Sequence, residues 1–340
     1  MTLILGIESS CDETSAALVR DGKEVIALSI AAQEQIHQKY GGVVPELAAR
    51  AHIENIIPVI KAAMDQGDVT VDDIDAISVA NCPGLTPSLL IGVTAAKTLA
   101  WAWDKPLVAV NHVHGHLQSV MLDEEKDCFP AIALIVSGGH TSLYDCKSLL
   151  ELELIGSTVD DAAGEAFDKV AMILKLPYPG GPQIEKLARD GDPNAIKFPR
   201  SLLGKGALNF SFSGLKTAVL YHCRGQDMLG ADQVDNMTEK EKADVAASFQ
   251  AAVVDVLTTK AIWAMEQMGY ENILLGGGVA ANTALREELQ AKCQQRNWQC
   301  IISPRKYCTD NAAMVAGLGF HKFKAGLFVG WELEASSSSK

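Results

Sequence analysis

With 340 residues, 48% apolar composition and a formal net charge of −13, the chain can bury one large core or two smaller ones. Its negative balance excludes broad, sequence-independent binding to nucleic acid, because phosphate contacts require clustered Lys and Arg; RNA binding would need a local patch or a partner subunit. No apolar run reaches the roughly 18 uncharged residues of a membrane span, so no membrane or export segment is expected. The eight cysteines, scattered without a CxxC pair, suit a reducing compartment and a cytoplasmic protein better than a disulfide framework.

In chain order, Leu3 to Glu8, Ser15 to Val19 and Glu24 to Ile30 read as strands, the last two joined by an Asp21-Gly22 turn, which predicts a β-meander. Apolar positions Leu47, Ile53, Ile56, Ile57 and Ile60 between Pro45 and Gln66 fit a helix, broken at Gly67. A strand at Ala76 to Val79, a Pro83-Gly84 loop, a helix at Ser88 to Trp103 and a strand at Leu107 to Val110 follow, leading into a short helix with three histidines. Near residue 130 the pattern restarts, with a strand at Ala131 to Val136, the turn Ser137-Gly138-Gly139-His140 and a strand at Thr141 to Tyr144. Later, Ile273 to Leu275 runs into Gly276-Gly277-Gly278 and a helix from about Asn282, matching the earlier strand, glycine loop and helix. Two such halves predict an α/β chain made of a duplicated lobe with a cleft between the copies. Residues 240–268 read as a long core helix, and the polar tail from Glu332 as frayed.

The sharpest local signal is Asn111-His112-Val113-His114-Gly115-His116. His112 and His116 are four apart and share one face of a helix, as two nitrogen ligands of one metal ion require, whereas His114 points elsewhere. A pair of satisfied histidines has the same spacing. A third ligand is available in Asp310, within Cys308-Thr309-Asp310-Asn311, although Thr309 or Asp310 could equally cap the last helix. Two histidines and one aspartate would leave open positions on the ion, which suits a Lewis acid. Three glycine-rich loops follow apolar strands or turns: Ser137 to Thr141, Pro179 to Pro182 and Gly276 to Gly278. Glycines there let backbone amides approach phosphate or ribose, and nearby helix N-termini add partial positive charge. The absence of GxxxxGK[ST] excludes the P-loop class. Acidic residues flank these loops at Glu8, Asp12 and Glu13 and at Asp160, Asp161, Glu165 and Asp168, where binding and solvated roles look alike in sequence. Cys11 has no positioned base and is not expected to be a nucleophile. Lys197, Arg200, Lys205 and Lys216, interleaved with Phe198, Phe210 and Phe212, form the most basic and aromatic stretch, either an RNA contact or a packed loop.

The strings Gly6 to Thr14, Tyr40 to Leu47, Val136 to Thr141, Asp160 to Lys169, Tyr178 to Pro182, Asn209 to Thr217 and Cys308 to Asn311 together resemble the universal tRNA adenosine threonylcarbamoyltransferase family, collinearly from about residue 3 to 325. This resemblance implies the two-lobed fold of actin, sugar kinases and heat-shock ATPases, with an N-terminal lobe at 1–118 onto which a C-terminal helix at 310–326 packs back and a second lobe at 119–309; the polar, repetitive composition of 331–340 reads as a disordered tail. It implies transfer of a threonylcarbamoyl group from threonylcarbamoyl-AMP to the exocyclic amine of the adenosine 3′ of the anticodon in tRNAs reading ANN codons, with release of AMP. His112, His116 and Asp310 look like the ligands of one divalent metal ion, for which iron, zinc or manganese would serve. Ile135, Val136, Ser137, Gly138, Gly139, Asp168, Gly181, Glu185 and Asn282 look like the adenylate-binding set. The family acts with a shorter inactive paralogue of the same fold and a small P-loop ATPase. Many members carry Glu between the two histidines where this chain has His114, which leaves the ligand face intact but alters its surroundings.

Because the donor is already activated, the enzyme has chiefly to position the amine, polarise the carbonyl or phosphate, and stabilise the leaving AMP. Asp12 or Glu13 is the candidate base for the amine proton. A zincin protease would need Glu after the first histidine, and Val113 stands there. An ATP-dependent kinase or ATPase of the same fold, or an inactive scaffold subunit, remain the alternatives.

Overall fold

The computed structural model describes residues 1–122, 128–201, 204, 206–225 and 233–338. The chain divides into two compact units, one formed by Met1–Asp127 and Ser303–Lys340, the other by Cys128–Ile302. The first opens with β1 (Leu3–Glu8), β2 (Glu13–Arg20) and β3 (Glu24–Ala32). The turn between β2 and β3 places Asp21 and Gly22 at φ 48 and 75°, the left-handed pair that a tight hairpin requires and that Asp-Gly provides cheaply. Next come the one-turn α1 (Glu34–His37), α2 (Pro45–Gly67), β4 (Ala76–Cys82), α3 (Thr86–Ala102), β5 (Leu107–Asn111) and α4 (His112–Met121). Gly67 is the last helical residue of α2, and the left-handed cap that follows it is Asp68, at φ 49°.

The second unit contains β6 (Ala131–Val136), β7 (Thr141–Cys146), β8 (Leu152–Ser157), α5 (Ala163–Ile173), α6 (Gly180–Ala188), α7 (Ser213–Arg224), α8 (Glu239–Met268), β9 (Asn272–Gly276), α9 (Thr283–Gln294) and β10 (Gln299–Ile302). The chain then returns to the first unit as α10 (Ala312–Lys324). Strand order is β3-β2-β1-β4-β5 in one sheet and β8-β7-β6-β9-β10 in the other. In each, a meander of three antiparallel strands is extended by two parallel ones, so the duplication expected from the repeated strand and glycine-loop pattern is present strand for strand.

All six residues of β1 are buried because both faces of its sheet are covered. Leu3, Leu5 and Ile7 face a cluster with Ile56, Val59, Ile60 and Val93 of α2 and α3, while Ile4 faces Ala312, Ala313, Val315 and Ala316 of α10, the period-2 division of a strand. Small residues let α10 come close: a Cβ on Gly6 would collide with the Ala312 carbonyl and the Ala316 amide. In the second unit α8 begins at a reciprocal Thr238/Glu241 capping box and ends on Gly269 at φ 70°. Among the described residues it is the one helix long and apolar enough to cross a membrane, and 78% of that apolar window is buried within the protein.

The polar tail behaves differently from the frayed segment expected. Val329 bridges the free edge of β5 through its amide to the Leu107 carbonyl. Leu333 and Ala335 then pack on the α2/α3 cluster. Lys97 Nζ donates to the Leu333 carbonyl, Asn81 Nδ2 to that of Glu334, and the Ser336 amide to that of Asn81. Backbone pairing to a sheet edge and two apolar anchors hold what composition alone would release. Ser339 and Lys340 lie outside the described residues, as does Lys205.

Candidate active site

The first unit gathers His112, His116 and Asp310. Asn111 caps α4, its Oδ1 accepting from the amides of Val113 and His114, which starts the helix at His112 and sets the two histidines one turn apart, ring centroids 4.8 Å from each other. The helix that follows Asp310 is capped by Asn311, whose side chain accepts from the Met314 amide and donates to the carbonyls of Tyr307 and Thr309. Neither Thr309 nor Asp310 is needed as the cap, and the Asp310 carboxylate is turned to the histidines. Its Oδ1 lies 3.1 Å from His116 Nε2 and 3.5 Å from His112 Nε2. One ligand atom from each residue falls within 4.8 Å of the others. A buried hydroxyl pair braces this geometry, Ser119 on α4 meeting Ser303 at 2.9 Å on the segment that leads to Asp310.

His116 is fully buried, yet neither ring nitrogen makes a directed hydrogen bond. Orphaned buried imidazole nitrogens are costly unless another partner takes the lone pair, and a divalent ion held by two histidines and a carboxylate fits that requirement. His112 is oriented for the same task by a residue that sequence reasoning grouped with the acids but gave no role: fully buried Glu8, whose Oε2 is 2.9 Å from His112 Nδ1. Ser10 Oγ lies 3.0 Å from the same nitrogen, and the Ser10 amide donates to Glu8 Oε1. A carboxylate on Nδ1 fixes the proton there and presents Nε2 to a metal. A glutamate ending an otherwise apolar strand was the available signal. Glu8→Gln is expected to weaken metal binding about 10- to 100-fold with the fold retained, read by competitive titration against a chromophoric chelator.

Burial alone would lower the pKa of His112, but the carboxylates of Asp310 and Glu8 outweigh it and raise it to about 9. The folded value exceeds the ordinary one, so the metal-free protein gains stability fully below about pH 6.5 and loses it as pH rises through about 9. Metal binding requires the unprotonated ring and strengthens over the same interval. Melting temperatures of metal-free protein are therefore expected to fall between these pH values, and those of metal-loaded protein to fall less. His114 stays outside the group: burial, then the charge of Lys322, lowers its pKa to about 4 and keeps it neutral, while the Lys322 ammonium donates to the Ala109 carbonyl.

Asp12 and Glu13 lie where β1 turns into β2. Burial, then the charges of Asp310 and Asp12 and a hydrogen bond to the Asp12 carboxylate, push the Glu13 carboxyl well above its ordinary range. The Cys11 thiol is likewise pushed well up by burial and then by Asp12 and Asp310, which leaves it inert as a nucleophile.

In the second unit, residues from all three glycine loops converge on one open cavity of about 210 Å³, lined by Gly138, Gly181 and Gly278 with Phe167, Asp168, Tyr178, Glu185 and Asn282. A Cβ at Gly138, Gly139, Gly181 or Gly278 would meet nothing within 4 Å, so there is open space beside the backbone at each. Gly277, at φ 92°, packs against the Val136 carbonyl, the close approach that only glycine allows. Pro179 to Pro182, expected as a loop, starts α6, and Asp168 accepts the Gly180 amide at 2.7 Å to fix that start. Asn282 caps α9 through the Leu285 amide and donates to Gln250 at 2.8 Å; Glu185 accepts from the Thr283 hydroxyl at 2.7 Å. These bonds make Gln250 and Thr283 supports of the cavity wall that no sequence pattern marked. Of the other expected members, Ile135 and Val136 are buried in β6, and Ser137 accepts from the His140 amide; none of the three, nor Gly139, is on the cavity wall.

Two further acids are structural. Asp160 accepts from the hydroxyls of Ser211 and Ser213 and the amides of Phe212 and Ser213, closing the start of α7. Asp161 pairs with Lys169 and Lys216 at 2.8 and 2.6 Å. The basic and aromatic stretch is packed as well, since Phe198, Phe210 and Phe212 are buried and buried Lys260 donates to the carbonyls of Ala207 and Asn209.

The structure resembles HypF of T. kodakarensis (TM-score 0.62, 16% identity, 95% of this chain and 48% of that one) and the (R)-2-hydroxyglutaryl-CoA dehydratase component A of Acidaminococcus fermentans (0.53, 14%, 95% and 99%); at such identity the likeness shows the actin-type α/β fold. In sequence, the chain is 49% identical to the tRNA N6-adenosine threonylcarbamoyltransferase of Rhodopirellula baltica, covering 98% of this chain and 95% of the relative, and 50% identical to that of Desulfotalea psychrophila, covering 94% and 92%. Residues 24–317 match the family described by the same words. The chain belongs to the tRNA N6-adenosine threonylcarbamoyltransferase family.

Proposed function

We propose that the chain transfers the threonylcarbamoyl group of threonylcarbamoyl-AMP to the exocyclic amine of the adenosine 3′ of the anticodon in tRNAs reading ANN codons, releasing AMP. The observation that carries this reading is 49% identity over 98% of the chain to a relative of that name. The adenylate binds in the glycine-lined cavity, where the open backbone at Gly138, Gly181 and Gly278 and the N-termini of α6 and α9 receive its phosphate and ribose. Held by His112, His116 and Asp310, a divalent iron, zinc or manganese ion would supply Lewis-acid polarisation of the donor. Asp12 or Glu13 accepts the proton of the attacking amine. The firm proton affinity that burial gives Glu13 suits such an acceptor. A net charge of −13 makes partner proteins, a shorter inactive paralogue and a small P-loop ATPase, the source of additional tRNA affinity. The eight free cysteines support work in the reducing cytoplasm.

The test is transfer of labelled threonine from threonylcarbamoyl-AMP to an ANN-decoding tRNA transcript, with and without chelator and with the partners supplied. Chelator-sensitive labelling of the anticodon-loop adenosine is expected. ATP hydrolysis indifferent to tRNA, without labelling, would instead assign the site to a kinase-like ATPase. Asp12→Asn and Glu13→Gln are each expected to slow transfer, by about 100-fold for the residue that takes the proton, with adenylate binding unchanged; full turnover in both removes the assignment.

A further inference from the structure

Behind the Asp12-Glu13 turn runs a set of buried polar side chains to which the chemistry above gives no part. His52, on α2, is fully buried; its Nε2 lies 2.9 Å from the Cys11 carbonyl and its Nδ1 2.8 Å from Thr14 Oγ1. The Gln33 side-chain amide reaches His52 Nδ1 at 3.5 Å and the Ala48 carbonyl at 3.4 Å, and its Oε1 lies 3.2 Å from His37 Nε2. His37 Nδ1 accepts from the Val44 amide at 3.2 Å. The Gln33 backbone amide donates to the Asp12 carbonyl at 3.1 Å.

Only one arrangement of hydrogens satisfies all of these groups. The Val44 amide can only donate, so His37 carries its proton on Nε2 and the Gln33 carbonyl must face it. That turns the Gln33 NH2 toward His52. The Cys11 carbonyl can only accept, so His52 carries its proton on Nε2 and takes the Thr14 hydroxyl on Nδ1. The network therefore terminates on two successive carbonyls, Cys11 and Asp12, and holds from behind the stretch of backbone from which the Asp12 and Glu13 side chains depart. A fully satisfied buried network costs desolvation that an apolar side chain of similar volume would avoid, and what it provides in return is a single geometry.

We propose that His52 is a positioning residue for the transfer reaction, fixing the Cys11–Glu13 backbone so that the Asp12 and Glu13 carboxylates stand in their working places, with Thr14 and Gln33 locking its ring. The inference rests on the assignment of the proton-accepting role to that acidic pair. The Glu13 carboxyl and the Cys11 thiol both sense the charge of Asp310, so the segment held by His52 borders the metal group. A displacement of about 1 Å at such a place costs on the order of 100-fold in rate.

The experiment measures kcat and KM for transfer from threonylcarbamoyl-AMP to tRNA, with the complete chain and its metal. His52→Leu is expected to lower kcat about 10- to 100-fold, leaving KM for the adenylate and the metal content within about twofold, and His52→Gln, which can still donate and accept, to recover most of the loss. In an Asp12→Asn/Glu13→Gln background, His52→Leu is expected to add nothing. Should His52→Leu not fold, Thr14→Val, which removes only the hydroxyl that sets the ring, replaces it, with a smaller loss in kcat alone. An unchanged kcat in His52→Leu, an equal loss in both backgrounds, or loss of kcat, KM and metal together would overturn the proposal. Slow Asp12→Asn or Glu13→Gln beside a fully active His52→Leu retires the proposal and leaves the acid assignment standing; full activity in both acid variants retires that assignment, and any loss in His52→Leu then persists undiminished across the backgrounds.

Discussion

Asp310→Ala is expected to abolish stable metal retention and to lower kcat/KM for transfer by about 10³-fold, the order of 4 kcal/mol that a metal-bound electrophilic site contributes. The reason is geometric: Asp310 Oδ1 lies against both histidines, at 3.1 and 3.5 Å, and without it two imidazoles alone are a weak chelate. The fold should persist, because the helix that follows is capped by Asn311 and not by Asp310. Metal analysis after gel filtration, beside thermal melting, checks this. A folded variant that keeps one equivalent of metal would show that the His112, His116 and Asp310 group is not the working site. Adenylate binding provides the internal control, since its cavity is built from other elements.

Gly6→Ala is the second large effect expected. The new methyl would run into the Ala312 carbonyl and the Ala316 amide of α10, backbone atoms that cannot rotate away, so relief requires moving the helix. We expect a cost of about 3 kcal/mol and a fall in melting temperature of roughly 5–10 °C. Because Asp310 precedes the cap of that same helix, metal affinity should decline with stability. Gly42→Ala, where nothing lies within 4 Å, serves as the comparison and should remain within about 0.5 kcal/mol of the parent. Equal melting temperatures for the two variants would mean that the close contact of α10 with β1 is not maintained in solution.

Much of this architecture is written locally. Residues 3–7 and 131–136 are continuous apolar runs, and the strands they build, 3–8 and 131–136, are central and at the predicted limits, since a strand covered on both faces needs no alternation. Asp21-Gly22 specifies its turn by backbone preference alone. The spacing of His112 and His116 is set by helical periodicity and a capping asparagine, so their common face is legible without any partner. β8, by contrast, is a short edge strand whose two exposed residues, Glu153 and Leu154, are adjacent and so break the alternation that would mark it, and α6 starts on glycines that by propensity mark a loop.

Which groups meet is another matter, because it depends on segments far apart in the chain. Asp310 reaches the histidines only because the chain, after building the whole second unit, returns to lay α10 on β1. Glu8 becomes the orienting partner of His112 through a separation of 104 residues, and the three glycine loops become one cavity only when β6, α6 and β9 are brought together. The duplicated fold is legible in local periodicity and the candidate ligand types in residue chemistry, while the family is legible in the collinear motif strings that resemble it. The tertiary structure decided which acids are caps, which orient a ligand and which remain open to substrate, because a carboxylate's role is fixed by the donors that long-range packing places around it.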